Sequence, residues 1–224
     1  MRSESSPIGQ EAARTFTETA RRAQIVAAAI DTIAELGYGQ ASLARIAETA
    51  GTSKGVIVYH FGSKDELIRE LVAELVARGV AYMEPEVDAE PTGPGKLRAY
   101  IESNLAFMGE NRTHMVAIFE IALNARAADG SRLYDVSVQG AGVAALQELL
   151  AYFQGTGEFR AGFDPHVMAM AIRAAINAVP AQLARDPELD VGHHAREIAD
   201  LFHLATRPGE GPRDLPSDSS HPEE

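Results

Sequence analysis

Residues 42–64 read SLARIAETAGTSKGVIVYHFGSK, and the fold turns on this stretch. Leu43, Ile46, Ala47 and Ala50 recur at helical spacing. Gly51 interrupts the pattern, and Ile57 and Phe61 resume it after Thr52 and Ser53, both good helix N-cap residues. The spacing predicts two short helices joined by a tight turn, the outline of a helix-turn-helix whose second helix enters the major groove of DNA. Ala47 is small where the helices pack closely, Gly51 accepts the left-handed conformation that ends a helix, and Ile57 seats the second helix on the first. The outward face of the second helix is read as Thr52, Ser53, Lys54, Val56, Tyr59 and His60, which offer hydrogen-bond donors and contacts for thymine methyls. Gly55 lets the backbone come close.

Upstream of this stretch, Ile25, Ala29, Ile33 and Leu36 form one stripe of a first helix predicted from near Glu18, with Gly37 as its stop. Arg21 and Arg22 then lie near its beginning, where a cation opposes the helix dipole. Either an external anion such as phosphate compensates them, or they are solvated. Ser42 caps the next helix, and its hydroxyl and the free N–H groups beside it can meet a DNA phosphate. Downstream, Ser63 and Glu66 stand at capping-box spacing and start a fourth helix. Lys64 is again a cation at a helix N-terminus and is placed for a phosphate. Ser42, Tyr59, His60 and Lys64 are therefore the expected phosphate contacts, and Thr52, Ser53, Lys54 and Val56 the expected groove contacts. Phe61 is read as core.

Composition bounds the partners. A net charge of −12 over 224 residues is unusual for a DNA binder, but the charge is uneven. Between Arg14 and Arg69 lie seven Lys/Arg and six Asp/Glu, so the acidity falls outside the helix-turn-helix segment. An acidic body discourages nonspecific wrapping of DNA and leaves a small contact surface. The absence of cysteine removes disulfides, thiolate metal sites and cysteine nucleophiles. The first 20 residues are polar, and Val167–Leu183 is broken by Arg173, Asn177 and Pro180, so neither a signal peptide nor a membrane span is expected. A cytoplasmic location follows as an expectation.

The segment Arg21 to Leu67 resembles the DNA-binding domain of the TetR family of transcriptional regulators: a helix ending in ELGYGQAS, then IAETAGTSKG, then YHFGSKDEL. One departure is visible. The family usually carries Tyr at the position of Val58, whereas here Tyr59 follows one residue later, about 100° further around the helix. The resemblance implies an all-α protein, with a three-helix DNA-binding domain followed by a helical ligand-binding and dimerisation domain. The expected divisions are a disordered segment 1–13, the helix-turn-helix domain 14–63, the helical body 64–207 and a disordered acidic tail 208–224.

The body itself reads as helices alone. The fourth helix is expected over Lys64–Met83 with Leu67, Leu71, Leu75, Val72 and Val76 inward, and a Pro- and Gly-bearing linker over Glu84–Gly95. Further helices are expected over Lys96–Glu110, Thr113–Ala127, Ser131–Gln154, Pro165–Arg185 and Val191–Thr206, with Gly140 and Gly142 able to bend or split the third of these. The last two carry small and apolar faces suited to a homodimer built as a four-helix bundle. An effector pocket is expected among Phe107, Met108, Met115, Phe119, Met168 and Met170, with Asn104, Glu120, Asn124, Arg173 and Asn177 to orient a small molecule.

His193, His194, Glu197 and His203 do not make a metal site on this pattern, because adjacent histidines point about 100° apart on a helix. No phosphate loop, nucleophile elbow or zincin motif is present, so no cofactor, metal or enzymatic activity is expected. The sequence leads to a ligand-responsive regulator, most simply a repressor released from a palindromic operator by a small molecule. An activator, a regulator that answers to another protein, and a helical enzyme or carrier are the alternatives.

Overall fold

The computed structural model describes residues 7–126 and 141–209, which form ten helices. They are α1 (Pro7–Leu36), α2 (Leu43–Thr49), α3 (Lys54–Phe61), α4 (Lys64–Ala89), α5 (Gly93–Glu110), α6 (Arg112–Asn124), α7 (Ala141–Gly155), α8 (Pro165–Asn177), α9 (Val179–Leu183) and α10 (Val191–Thr206). Two apolar clusters organise them. One joins Ile25, Ile33, Ile46, Ile57, Phe61, Leu67 and Leu71 from α1 to α4, and Ala117 and Ile121 of α6 reach into it. The other joins Leu97, Ile101, Leu105, Phe107, Ile172, Ile176 and Phe202 from α5, α8 and α10. Each buried Leu, Ile or Phe side chain among them contributes about 1.5–3 kcal/mol of transfer free energy. α6 therefore belongs to both halves.

Caps define most helix starts. Ser42, Ser53, Ser63 and Thr92 accept the N–H groups of Arg45, Val56, Glu66 and Gly95, and Asp164 and Asp190 do the same for α8 and α10. Ser42, Ser53 and Ser63 are marked in the sequence, whereas Thr92 lies inside the expected linker and caps α5, which starts at Gly93, three residues before the expected Lys96.

Several boundaries differ from expectation. α1 begins at Pro7, so residues 7–13 are helical: Pro7 suits a first turn, and Gln10 to Arg14 are good helix formers. Arg21 and Arg22 therefore lie mid-helix, where the dipole argument for a bound anion no longer applies. α4 runs through Pro85 to Ala89, which shortens the expected linker to Glu90–Thr92. Val76, expected inside, is exposed, while Gly79 is buried against the Phe107 ring, which a Cβ would approach to 3.4 Å. The helix expected over Pro165–Arg185 is divided at Ala178, because Pro180 has no N–H to continue the ladder and starts α9 in its first turn. Residues 127–140, with Leu133, Val136 and Gly140, and residues 1–6 and 210–224 lie outside the described part. Expectations for those segments are not addressed by it.

Candidate nucleic-acid interface and effector site

The turn between α2 and α3 closes as a Schellman motif. The Thr52 N–H donates to Ala47 O at 2.9 Å and the Gly51 N–H to Glu48 O at 3.1 Å, with Gly51 at φ +58°. Ala47 and Ala50 are buried beneath it, and α1 holds the pair from behind: Gln24 donates to Ala50 O, and the Thr32 hydroxyl meets that of Thr49 at 2.9 Å. Ile57 and Phe61 pin α3 to this base.

What α3 then presents is a stripe of Lys54, Gly55, Val58 and Tyr59. Tyr59 is 80% exposed and Val58 41%. Ser53 is exposed and serves as the α3 cap, Thr52 is half-buried in the turn, and Ser42 is exposed at the start of α2. Val56 and His60, expected on the outer face, are half-buried, and Val56 packs against the core. The reason is helical geometry: positions 53, 56, 57, 60 and 61 share one face, and Ile57 and Phe61 claim it for the interior. The His60 Nδ1 is buried without a hydrogen-bond partner, and its backbone carbonyl accepts from Arg22.

The cations separate into two groups. Arg22 is engaged internally: it pairs with Glu70 of α4, its guanidinium lies 4.5 Å from the Phe61 ring centroid, and it binds the carbonyl that ends α3. It braces α1, α3 and α4. Lys64 Nζ donates to Tyr38 O at 2.7 Å and sits 3.9 Å from the centre of the Tyr38 ring. Burial lowers its pKa and the Asp65 carboxylate partly opposes that shift, while burial raises the pKa of the Tyr38 phenol. Its ammonium keeps further N–H donors for a phosphate. Lys54 is exposed with no ion-pair partner among the described residues, and Arg45 on α2 is exposed and joined only to Glu48 on its own helix. Arg45 and Val58 are exposed beside the expected contacts and were not among them. Arg45 stands three residues after the Ser42 cap, which is the signal that could have found it.

The Tyr38 backbone is held on both sides of its Cα. Its N–H faces Glu120 Oε2 of α6 at 3.3 Å, and its carbonyl faces Lys64. Glu120 was expected to orient an effector; it instead reaches the turn that ends α1, where a Cβ on Gly37 would stand 3.2 Å from the same oxygen. Asn124 donates to that oxygen at 3.1 Å. The helical body and the DNA-binding domain thus meet at the Tyr38 backbone as well as through the packing of Ala117 and Ile121.

The other expected effector residues fall into two sets. Phe107, Met108 and Met115 are buried in the second cluster, with Met168 and Met170 packed at its edge and Phe119 half-buried on α6. Arg173 is half-buried on α8 and binds the Tyr100 hydroxyl and Asn177. Asn104 is 7% exposed on α5. An open cleft of about 390 Å³ lies between α5 and α10, lined by Arg98, Glu102, Ala106, Gly192, Ala195, Arg196 and Asp200, and includes none of the expected residues. The rings of His193 and His194 lie nearly perpendicular, and among the described residues no three His, Asp or Glu side chains gather as a metal site. No described helix is long and apolar enough to cross a membrane.

Residues 25–71 match the family described as "Bacterial regulatory proteins, tetR family". A "Fatty acid metabolism regulator protein" of Bacillus subtilis (strain 168) is 29% identical over 99 residues, 44% of this chain and 51% of that protein. An "HTH-type transcriptional regulator BetI" of Stenotrophomonas maltophilia (strain R551-3) is 34% identical over 102 residues, 44% of this chain and 50% of that protein. The chain thus spans about half the length of the curated relatives it matches. A solved structure described as a putative TetR-family transcriptional regulator from Rhodococcus sp. superposes with a TM-score of 0.70 at 21% identity, covering 82% of this chain and 98% of that one, so the fold is shared through the helical body.

Proposed function

We propose, on the match of residues 25–71 and the shared fold, that the chain is a TetR-family transcriptional regulator, a homodimeric repressor released from a near-palindromic operator by a small molecule. The observation that carries this reading is the exposed α3 stripe of Lys54, Gly55, Val58 and Tyr59, set on a helix whose opposite face is anchored by Ile57 and Phe61. A rigidly seated helix can hold side chains against base edges, whereas a loose one cannot. Ser42, Thr52 and Ser53 flank it at helix starts, with Lys64 beside them to meet backbone phosphate, while Val56 and His60 contribute through the fit of α3 on its base.

Pairing of two copies is read from the late helices. Val167, Ala171, Ala174 and Ala178 are exposed along one side of α8, and Leu201 and Leu204 along α10. Exposed apolar faces on both late helices suit a two-fold dimer built through them. Such a dimer would set the α3 helices roughly 34–36 Å apart, one turn of DNA. An effector that prefers a body with another spacing lowers operator affinity by its differential affinity for the two states.

The test is capture of duplex fragments by the purified protein, followed by a salt titration on the fragments retained. A linear fall of log affinity with log salt is expected, with a two-fold symmetric site. Absence of saturable duplex binding at low salt refutes the regulator.

A further inference from the structure

Three helices bring an unusual set of donors together around Arg173. Its Nη1 donates to the Tyr100 hydroxyl oxygen at 3.1 Å and its Nη2 to Asn177 Oδ1 at 2.9 Å. Both partners are neutral, and among the described residues no carboxylate pairs with this half-buried guanidinium. A guanidinium offers five N–H donors, so Nε–H and others remain, and the Tyr100 hydroxyl, having accepted, still has its own proton to donate. Nε faces α7 at Gly142: a Cβ there would lie 3.8 Å from Nε and 3.9 Å from both Cζ and the Tyr100 oxygen. A side chain at this position would therefore lie against both Nε and the Tyr100 hydroxyl, and glycine places none there. One turn deeper on the same face of α5, Asn104 is 93% buried and its Nδ2 has no hydrogen-bond partner. A buried amide donor left unmatched is unfavourable by itself and calls for an acceptor. Phe107 and Met108 follow it three and four residues along α5 in the second apolar cluster, on which Met168 and Met170 pack.

Convergent donors at the rim, a donor without an acceptor inside and an apolar, adaptable surround define a ligand that is anionic at one end and apolar over the rest. We propose that the effector site takes an amphiphilic carboxylate, its head group held by Arg173 and Tyr100 beside Gly142, and its apolar chain directed along α5 toward Asn104, which donates to an acceptor on that chain. The planar guanidinium fork matches a carboxylate better than it matches a hydroxyl or an ammonium, which supplies the discrimination. This rests on the effector-responsive reading of the helical body and specifies its ligand class.

The experiment is calorimetric titration of the full chain, without DNA, with decanoate, 1-decanol and 5-oxodecanoate. Decanoate is expected to bind about tenfold or more tightly than decanol, the difference expected of charge-assisted hydrogen bonds. Arg173→Gln abolishes that preference, Tyr100→Phe weakens decanoate several-fold, and Gly142→Leu, a change at an exposed position, blocks the carboxylate by placing a side chain against Arg173 and Tyr100. 5-Oxodecanoate gains over decanoate in the natural protein and loses that gain in Asn104→Leu. Decanol binding as tightly as decanoate, unchanged carboxylate binding in both Arg173→Gln and Gly142→Leu, or no saturable carboxylate binding overturns the site. Because DNA is absent from this titration, failure of duplex capture refutes the regulator and not the carboxylate site, and the converse also holds.

Discussion

Substitution of Gly37 by Ala tests the junction between the DNA-binding domain and the helical body. Gly37 has φ +78°, where an L side chain is disfavoured by about 1–2 kcal/mol. The new Cβ would also stand 3.2 Å from Glu120 Oε2, closer than ordinary contact, and push the carboxylate from the Tyr38 N–H that it accepts at 3.3 Å. That hydrogen bond contributes about 1 kcal/mol. Gly37→Ala is therefore expected to destabilise by about 2–3 kcal/mol, and Glu120→Ala by about 1 kcal/mol. In the double variant the hydrogen bond is lost only once and the carboxylate is no longer in the way, so the total stays at about 2–3 kcal/mol and falls short of the sum by about 1 kcal/mol. Urea unfolding of the four proteins at one fixed protomer concentration measures the cycle. Additivity within about 0.3–0.5 kcal/mol would show that Glu120 does not lie over Gly37 and would refute the account of the junction.

Other outcomes follow from the same structure. Tyr59→Phe is expected to weaken operator binding about fivefold through loss of one hydroxyl contact, with no change in melting temperature because the side chain is almost fully exposed; a drop in melting temperature would contradict this placement. Lys64→Ala should reduce the slope of log affinity against log salt by about 1.8, one phosphate contact from each protomer of the proposed dimer, and should also lower unfolding stability, since Lys64 ties Tyr38 to α4. His114, whose pKa is lowered by burial first and by Arg78 second, disfavours its charged form in the folded protein. Below about pH 6.5 the unfolded chain takes up a proton that the fold resists, so stability falls on acidification, and His114→Asn should flatten that fall in denaturant titrations run from pH 7.5 to 5.5.

The sequence was most readable where structure is decided within a few residues. Ser42, Ser53 and Ser63 cap helices three residues before the N–H groups they accept, and Gly51 closes a turn with atoms no more than five residues apart. The helix-turn-helix was legible for that reason. Lys64, Arg22 and Glu120 were not, because their partners lie 26, 48 and 82 residues away, and a cation near a helix start looks the same whether it awaits a phosphate or already has a carbonyl. Val56 and His60 were misplaced by another route. Polarity and residue type marked them as contacts, but the two buried neighbours Ile57 and Phe61 fix the rotation of α3, and polarity along eight residues does not reveal it. The Pro85 boundary failed because proline lowers helix propensity locally, whereas packing across the 26 residues of α4 decides the outcome.

α4 has a consequence of scale. It is 26 residues long, a rod of roughly 39 Å at about 1.5 Å per residue. Its first turn is fastened to the Tyr38 carbonyl, and farther along Gly79 admits the Phe107 ring of α5. A tilt of about 5° about one end of such a rod carries the other end roughly 3 Å, as far as a hydrogen-bond length. In the proposed dimer, spacing between two reading heads on a duplex is therefore sensitive to angular errors too small to break any packing contact near the pivot. An effector need not refold or unlatch anything to misalign the pair; it needs only to alter the angle at which the rod leaves α5.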